Sequence, residues 1–169
     1  MNTICTYRIK PKTMKRDEFA GLVSFLGIKG ETKTTDEAIA VSDGRQALAY
    51  AQPGAKFGGL LMYTDQSTGM AQMPRKPVVP ARAHAWAQDF SKRFGLLPEK
   101  SKDERARVSL QLEAYENHAV TYDGKKRSKV RAGTEVGSRI ELNGIPVTGP
   151  RAKVRMLFKD RARPLYIHH

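Results

Sequence analysis

Three residue pairs, Asp43-Gly44, Asp123-Gly124 and Asn143-Gly144, each stand between stretches of strand-like residues. Such pairs accept the positive backbone angles that a tight turn between antiparallel strands demands. They commit the chain to hairpins, and therefore to antiparallel sheet. The flanking stretches are 38–41 and 46–51 around the first pair, and 108–121 and 128–136 around the second. Around the third they are 139–142 and the short Ile145-Pro146-Val147. Further strands are expected at 3–7, 60–64, 151–158 and 164–167, with a turn at Lys159-Asp160-Arg161.

Two segments follow a different period. Over 14–26, Phe19, Leu22, Val23 and Leu26 recur at helical spacing. Thr13 stands where a cap belongs, Asp17 and Glu18 fall in the first turn, and Gly27 lies just beyond the end. Over 81–94 the stripe is Ala83, Trp86, Ala87, Phe90 and Phe94, between Pro80 and Gly95. The order is helix then strands, twice over. That pattern predicts an α+β fold of two helix-on-antiparallel-sheet units, each helix lying across one face of a sheet. The expected organisation is an N-terminal unit over 1–65, a proline-rich linker over 66–80 and a C-terminal unit with basic strands over 81–169. The helices end alike, Ser24-Phe25-Leu26-Gly27 against Lys92-Arg93-Phe94-Gly95. This suits two related halves, or two unrelated helices that both stop at glycine.

At 169 residues and 40% hydrophobic, the chain has enough apolar material for a packed core. No apolar run approaches the ~20 residues of a membrane span. Cys5 is the only cysteine, which excludes an intramolecular disulfide and a multi-cysteine zinc site. In its strand-like setting it reads as a small buried thiol. The start, Met1-Asn2-Thr3-Ile4-Cys5, shows no basic leader before an apolar stretch. That points to the cytoplasm for the chain as given, and to an extracytoplasmic site if a leader was trimmed. The last residues, Leu165 to His169, read as an interrupted strand, as in a fragment or a tagged chain.

The net charge is +13, from 30 Lys and Arg against 17 Asp and Glu, and it favours an anionic partner. It is not evenly spread. Residues 124–169 hold twelve Lys and Arg against Glu135, Glu141 and Asp160. There the cations alternate with uncharged residues: Arg127, Lys129 and Arg131 in one stretch, Arg151, Lys153 and Arg155 in another. On a strand, alternate side chains share a face, so each stretch offers a basic row. Two such rows side by side repel unless water, salt, Glu113 and Glu116 or a bound anion offsets them. A solvated outer sheet face is the bland reading, and an anion-binding face the sharper one. No helix-turn-helix, zinc-finger spacing or basic helix supports sequence-specific DNA recognition.

Chemical motifs are sparse. Gly27-Ile28-Lys29-Gly30 matches a phosphate-clamping Gly-x-x-Gly loop, but a polar stretch leading to a strand follows it rather than a helix. Helix capping explains it better. His84, His118, His168 and His169 are scattered, and His118 shares a strand face only with Glu116 and Ala114, so no metal site is expected. No nucleophile elbow, phosphate-binding loop or dinucleotide fingerprint appears. No catalytic residue and no cofactor are assigned.

The stretch Arg139-Ile140-Glu141-Leu142-Asn143-Gly144-Ile145-Pro146-Val147-Thr148-Gly149-Pro150 precedes an alternating strand over 151–158. It resembles the strand-turn-strand of PepSY-type domains, found in metalloprotease propeptides. The helix that ends Phe94-Gly95-Leu96-Leu97-Pro98 is similar to the one that opens such a unit. The resemblance covers chiefly 81–169 and implies a cystatin-like α+β module that binds other proteins without catalysis. The expected function is a non-enzymatic binding or regulatory module. It would engage an acidic protein or an anionic surface through Arg127, Lys129, Arg131, Arg151, Lys153 and Arg155. The alternative is a nucleic-acid-binding protein that uses the same basic face non-specifically.

Overall fold

A computed structural model describes residues 13–53, 55, 59–67, 73–96, 106–147, 153–160 and 163–169. The strand expected at 3–7, with Cys5, lies outside these residues, as do Arg151 and the 148–150 part of the PepSY-like stretch. The elements in order are α1 (Arg16–Leu26), β1 (Thr32–Thr34), β2 (Ala38–Ser42), β3 (Gln46–Ala51), β4 (Leu61–Asp65) and α2 (Pro80–Arg93). Then come β5 (Val108–Tyr122), β6 (Arg127–Leu142), β7 (Ile145–Pro146), β8 (Arg155–Phe158) and β9 (Pro164–His168). The fold is α+β, and sheet dominates it.

The turn chemistry works as the three pairs imply. Gly44 and Gly124 adopt positive φ, and Asn143 joins Gly144 in doing so. Asp43 Oδ1 accepts the backbone N–H of Arg45 and Gln46, and Asp123 Oδ1 accepts those of Lys125 and Lys126. These bonds hold both carboxyls below the usual aspartate range. Helix α1 starts two residues later than expected. Thr13 is not its cap; instead Glu18 reaches back to the backbone N–H of Lys15 at 3.0 Å. Gly27 closes the helix in the left-handed region, its N–H bonded to Ser24 O. Helix α2 begins at Pro80, whose missing N–H costs nothing at that position.

All nine strands among the described residues belong to one sheet, in the order β1-β2-β3-β4-β9-β8-β6-β5, with β7 hydrogen-bonded to the end of β6. The 1–65 and 81–169 stretches therefore share a sheet. The last strand of each, β4 and β9, pair antiparallel at its centre with Tyr63 opposite Ile167. Each stretch supplies a helix and a four-strand antiparallel meander, and the two meanders meet along their final strands. The strands expected at 128–136 and 139–142 are one continuous β6, because Gly137 and Ser138 stay in register with β5. β8 is shorter than the expected 151–158, since Lys153 and Val154 precede its ladder.

Both helices lie on the same face of this sheet. Phe19, Leu22 and Leu26 of α1 and Ala83, Ala87 and Phe90 of α2 are buried in one cluster with Leu48, Tyr63, Val136, Met156, Phe158 and Ile167. The register places those strand residues on one side. An aromatic seam joins the helices. Phe25 of α1 lies 5.7 Å from both Trp86 and Phe90, and Trp86 stacks on Phe90 at 4.8 Å. Trp86 also meets Phe158 of the sheet edge-on, 5.5 Å away. Among the described residues no element covers the opposite face. That face carries Ala38, Ala40, Ala47, Ala49 and Ala51, then Met62, Tyr166 and Leu157.

One irregularity shapes the β5–β6 pair. Between Asn117 and His118 of β5 the register with β6 slips by one residue, a β-bulge at Ala132-Gly133. Glycine is required there by crowding: a Cβ on Gly133 would lie 2.5 Å from Phe158 O. On Gly137 it would meet Tyr115 at an ordinary 3.6 Å. Gly133→Ala is expected to cost about 1–3 kcal/mol through overpacking. Gly137→Ala should cost distinctly less. Urea-denaturation midpoints of the two variants measure the difference, and equal costs would show that the bulge tolerates a side chain.

Candidate anion-binding surfaces

The bulge decides where the basic residues point. In an unbroken strand Arg127, Lys129, Arg131, residue 133, Glu135 and Gly137 would share a face. Arg155, opposite Gly137, would then join them. The extra residue reverses the alternation beyond it. Arg131 points to the helix side, where its Nη1 lies 3.2 Å from Glu116. Arg155 points to the open side, where it meets Glu135. The expected single basic face is thus two surfaces on opposite sides of the sheet.

On the open side, Glu135 is 4% exposed and both its carboxylate oxygens are hydrogen-bonded. It accepts Tyr115 OH at 2.9 Å, Asn117 Nδ2 at 3.2 Å and Arg155 Nε at 2.6 Å, with Arg155 Nη2 also in contact. Burial pushes this carboxyl up, but the hydrogen bonds from Asn117, Arg155 and Tyr115 and the charge of Arg155 outweigh it. The net effect holds it below the usual glutamate range. The same network raises Tyr115 through burial and its bond to Glu135, and raises Tyr166 through burial and the charge of Glu135. Lys153, Arg155 and Arg139 line a shallow hollow of about 270 Å³ with Glu113, Tyr115 and Gly137. Within it Arg155 is committed to Glu135 and Arg139 Nε to Glu141 at 2.9 Å.

On the other side of the bulge the β5–β6 hairpin runs on as a two-stranded arm over 118–131. Arg131 clamps its base. Its Nη2 donates to Val78 O and to Thr134 Oγ1, while Thr134 Oγ1 also donates to Val78 O. His118 lies 3.5 Å from the Glu116 carboxylate that Arg131 binds. Beyond the clamp the arm is open to water. Arg127, Lys129, Val120 and Tyr122 share one face, and the latter two are 63% and 68% exposed. Lys125 and Lys126 sit in the tip turn. Among the described residues, no carboxylate lies within ion-pair distance of the side chains of Lys125, Lys126, Arg127 or Lys129.

Of the six residues singled out in the sequence, Arg127 and Lys129 therefore stand together on the arm and Arg131 anchors it. Lys153 and Arg155 lie on the opposite face, and Arg151 is outside the described residues. Lys125 and Lys126, missed as site residues, complete the arm's charge. The Glu135 network was missed because nothing in the sequence announces a one-residue slip. Elsewhere His84 Nε2 meets Leu112 O at 3.0 Å, a tie between α2 and the sheet. No described helix is long and apolar enough to cross a membrane. Comparisons with protein-family models, curated proteins and solved structures found no match for this chain.

The depressed Glu135 carboxyl fixes a pH dependence. A carboxylate stabilised in the folded state contributes fully above its unfolded value of about 4.3 and loses that contribution as pH falls through its lower folded value. Glu135→Gln is expected to cost about 1–3 kcal/mol at pH 7, where charged hydrogen bonds are lost. The gap from the unaltered protein should narrow on acidification below pH ~4. Urea midpoints of both proteins across that range read the effect; a gap independent of pH would assign Glu135 no ionised role.

Proposed function

We propose that this chain is a non-enzymatic binding module that engages an anionic macromolecule through the β5–β6 arm. The observation that carries the reading is the position of four cations, Lys125, Lys126, Arg127 and Lys129, with no ion-pair partner among the described residues, on a hairpin projecting past the packed sheet. Charges elsewhere are partly spent inside the fold: Arg131 on Glu116, Arg139 on Glu141, Arg155 on Glu135. Those on the arm are not. The resemblance of 81–169 to PepSY-type modules supports the same non-catalytic role, with an acidic protein or an anionic surface as partner. The second reading, nucleic acid, is favoured by Tyr122, an exposed aromatic directly across the ladder from Arg127.

The test compares charge in place with charge in bulk. A variant carrying Lys125→Ser, Lys126→Ser, Arg127→Ser and Lys129→Ser is set against one carrying Lys33→Ser, Arg45→Ser, Arg75→Ser and Lys76→Ser, which removes the same charge elsewhere. On immobilised heparin the arm variant is expected to elute at markedly lower salt than the control variant. Equal shifts would mean that only net charge matters and would overturn the arm as the binding element.

A further inference from the structure

We infer that the arm's partner is the major groove of B-form DNA, with β6 along one phosphate strand and Val120 and Tyr122 of β5 facing base edges. This rests on the reading of the arm as the anion-binding element. The first argument is shape. A two-stranded ribbon, its strands ~4.8 Å apart, is narrow enough to enter a concave anionic partner. The major groove is about 12 Å wide and 8.5 Å deep and admits such a ribbon. From the His118–Arg131 pair to the Tyr122–Arg127 pair the arm advances four residues, about 13 Å, before its turn. Laid lengthwise in the groove, that stretch of β6 runs beside one phosphate strand.

The second argument is asymmetry. Between the clamp and the tip turn, every cation of the arm lies on β6 and none on β5, which contributes Ala119, Val120, Thr121 and Tyr122. Arg127 and Lys129, two residues apart on one face, stand ~6.8 Å from each other along the strand. Along one DNA strand that spacing sets the two cations beside neighbouring phosphates. Val120 and Tyr122 are cross-strand partners of Lys129 and Arg127 and share their face. With β6 on a phosphate strand they turn inward, where apolar contact with thymine methyls is available. The aromatic is also held in place: Tyr122 OH donates to Gly124 O at 2.9 Å, which fixes it beside the tip. The third argument is aim. The Arg131 clamp and the bulge hold the arm against the Val78 segment, so its direction is set before any partner arrives.

The experiment measures fluorescence anisotropy of labelled 20-base-pair DNA, its RNA duplex and single-stranded counterparts, and labelled polyglutamate, each with the full chain. Duplex DNA is expected to bind tightest, because A-form RNA has a major groove too narrow for side chains to read. Removing the four arm cations should reduce the salt slope of duplex binding by about 3–4. Tyr122→Ala with Val120→Ala should weaken duplex DNA binding about fivefold or more and leave binding to heparin unchanged. Methyl green, a major-groove ligand, should compete with the protein, and netropsin, a minor-groove ligand, should not. Equal binding of RNA or single strands, or displacement by netropsin alone, would overturn groove entry. Preference for polyglutamate would also overturn it while leaving the arm as the binding element. If the arm substitutions alter binding to none of these polyanions, both readings fall.

Discussion

The pairing of β9 between β4 and β8 is the interaction on which this architecture depends. Five residues near the C-terminus occupy the middle of the nine-strand sheet. Tyr63 faces Ile167 across one ladder and Met156 faces it across the other. His169 and Leu61 exchange both backbone hydrogen bonds at 3.0 Å, which extends the join by one pair. These contacts span about a hundred residues of chain, so loop closure opposes them, and the burial they permit must offset that entropy. Ile167, Tyr63, Met156 and Leu48 do so together, all buried on the helix side. Without β9 the two meanders would each expose an unpaired edge at their common seam.

The join also explains why the helices meet. Once the two meanders form one sheet, α1 and α2 lie side by side on the same face. The ring cluster of Phe25, Trp86, Phe90 and Phe94 fills the space between them. Arg93 places its guanidinium 5.1 Å from the Phe25 ring, so the wet rim of the seam is covered by a cation that stays partly in water. The consequence is an unequal sheet: one face dry under helices, the other left with alanines over β2 and β3. On the helix side Arg131 is paired with Glu116. Lys159, 5% exposed, has its ammonium form disfavoured by burial, and Asp160 only partly restores it.

Much of this was readable from local chemistry. The three turn pairs, the two apolar stripes and their proline and glycine boundaries are short-range signals, and they specify hairpins and helices that the structure contains. β1, exposed along its whole length, carries no such pattern and was not foreseen. The pairing of β4 with β9 was not legible either, because strand order across a sheet depends on non-local packing that no turn encodes. The bulge at Gly133 was the costliest omission. Counting outward from Asp123-Gly124 without it places Tyr115 opposite Thr134 and Glu135 on the wrong face. A slip of one residue exchanges the two faces for everything beyond it. So the alternation of Arg127, Lys129 and Arg131 was real, while its expected continuity with Arg155 was not.

That exchange of faces gives the charge distribution a physical logic. Cations near the core pair with carboxylates: Arg155 with a buried Glu135, Arg131 with Glu116 and the Val78 carbonyl. A carboxylate as buried as Glu135 left without its partners would cost more than the fold gains from its burial. Cations on the arm escape this rule because the arm lies past the helices and buries little. The same circumstance weakens it, since an isolated two-stranded hairpin is marginal in water and its like charges repel. The base clamp and the Asp123 turn bonds are what hold the ribbon in the free protein. An anionic partner would remove the remaining repulsion. Charge that would be a defect in the sheet is, on the arm, both tolerable and available.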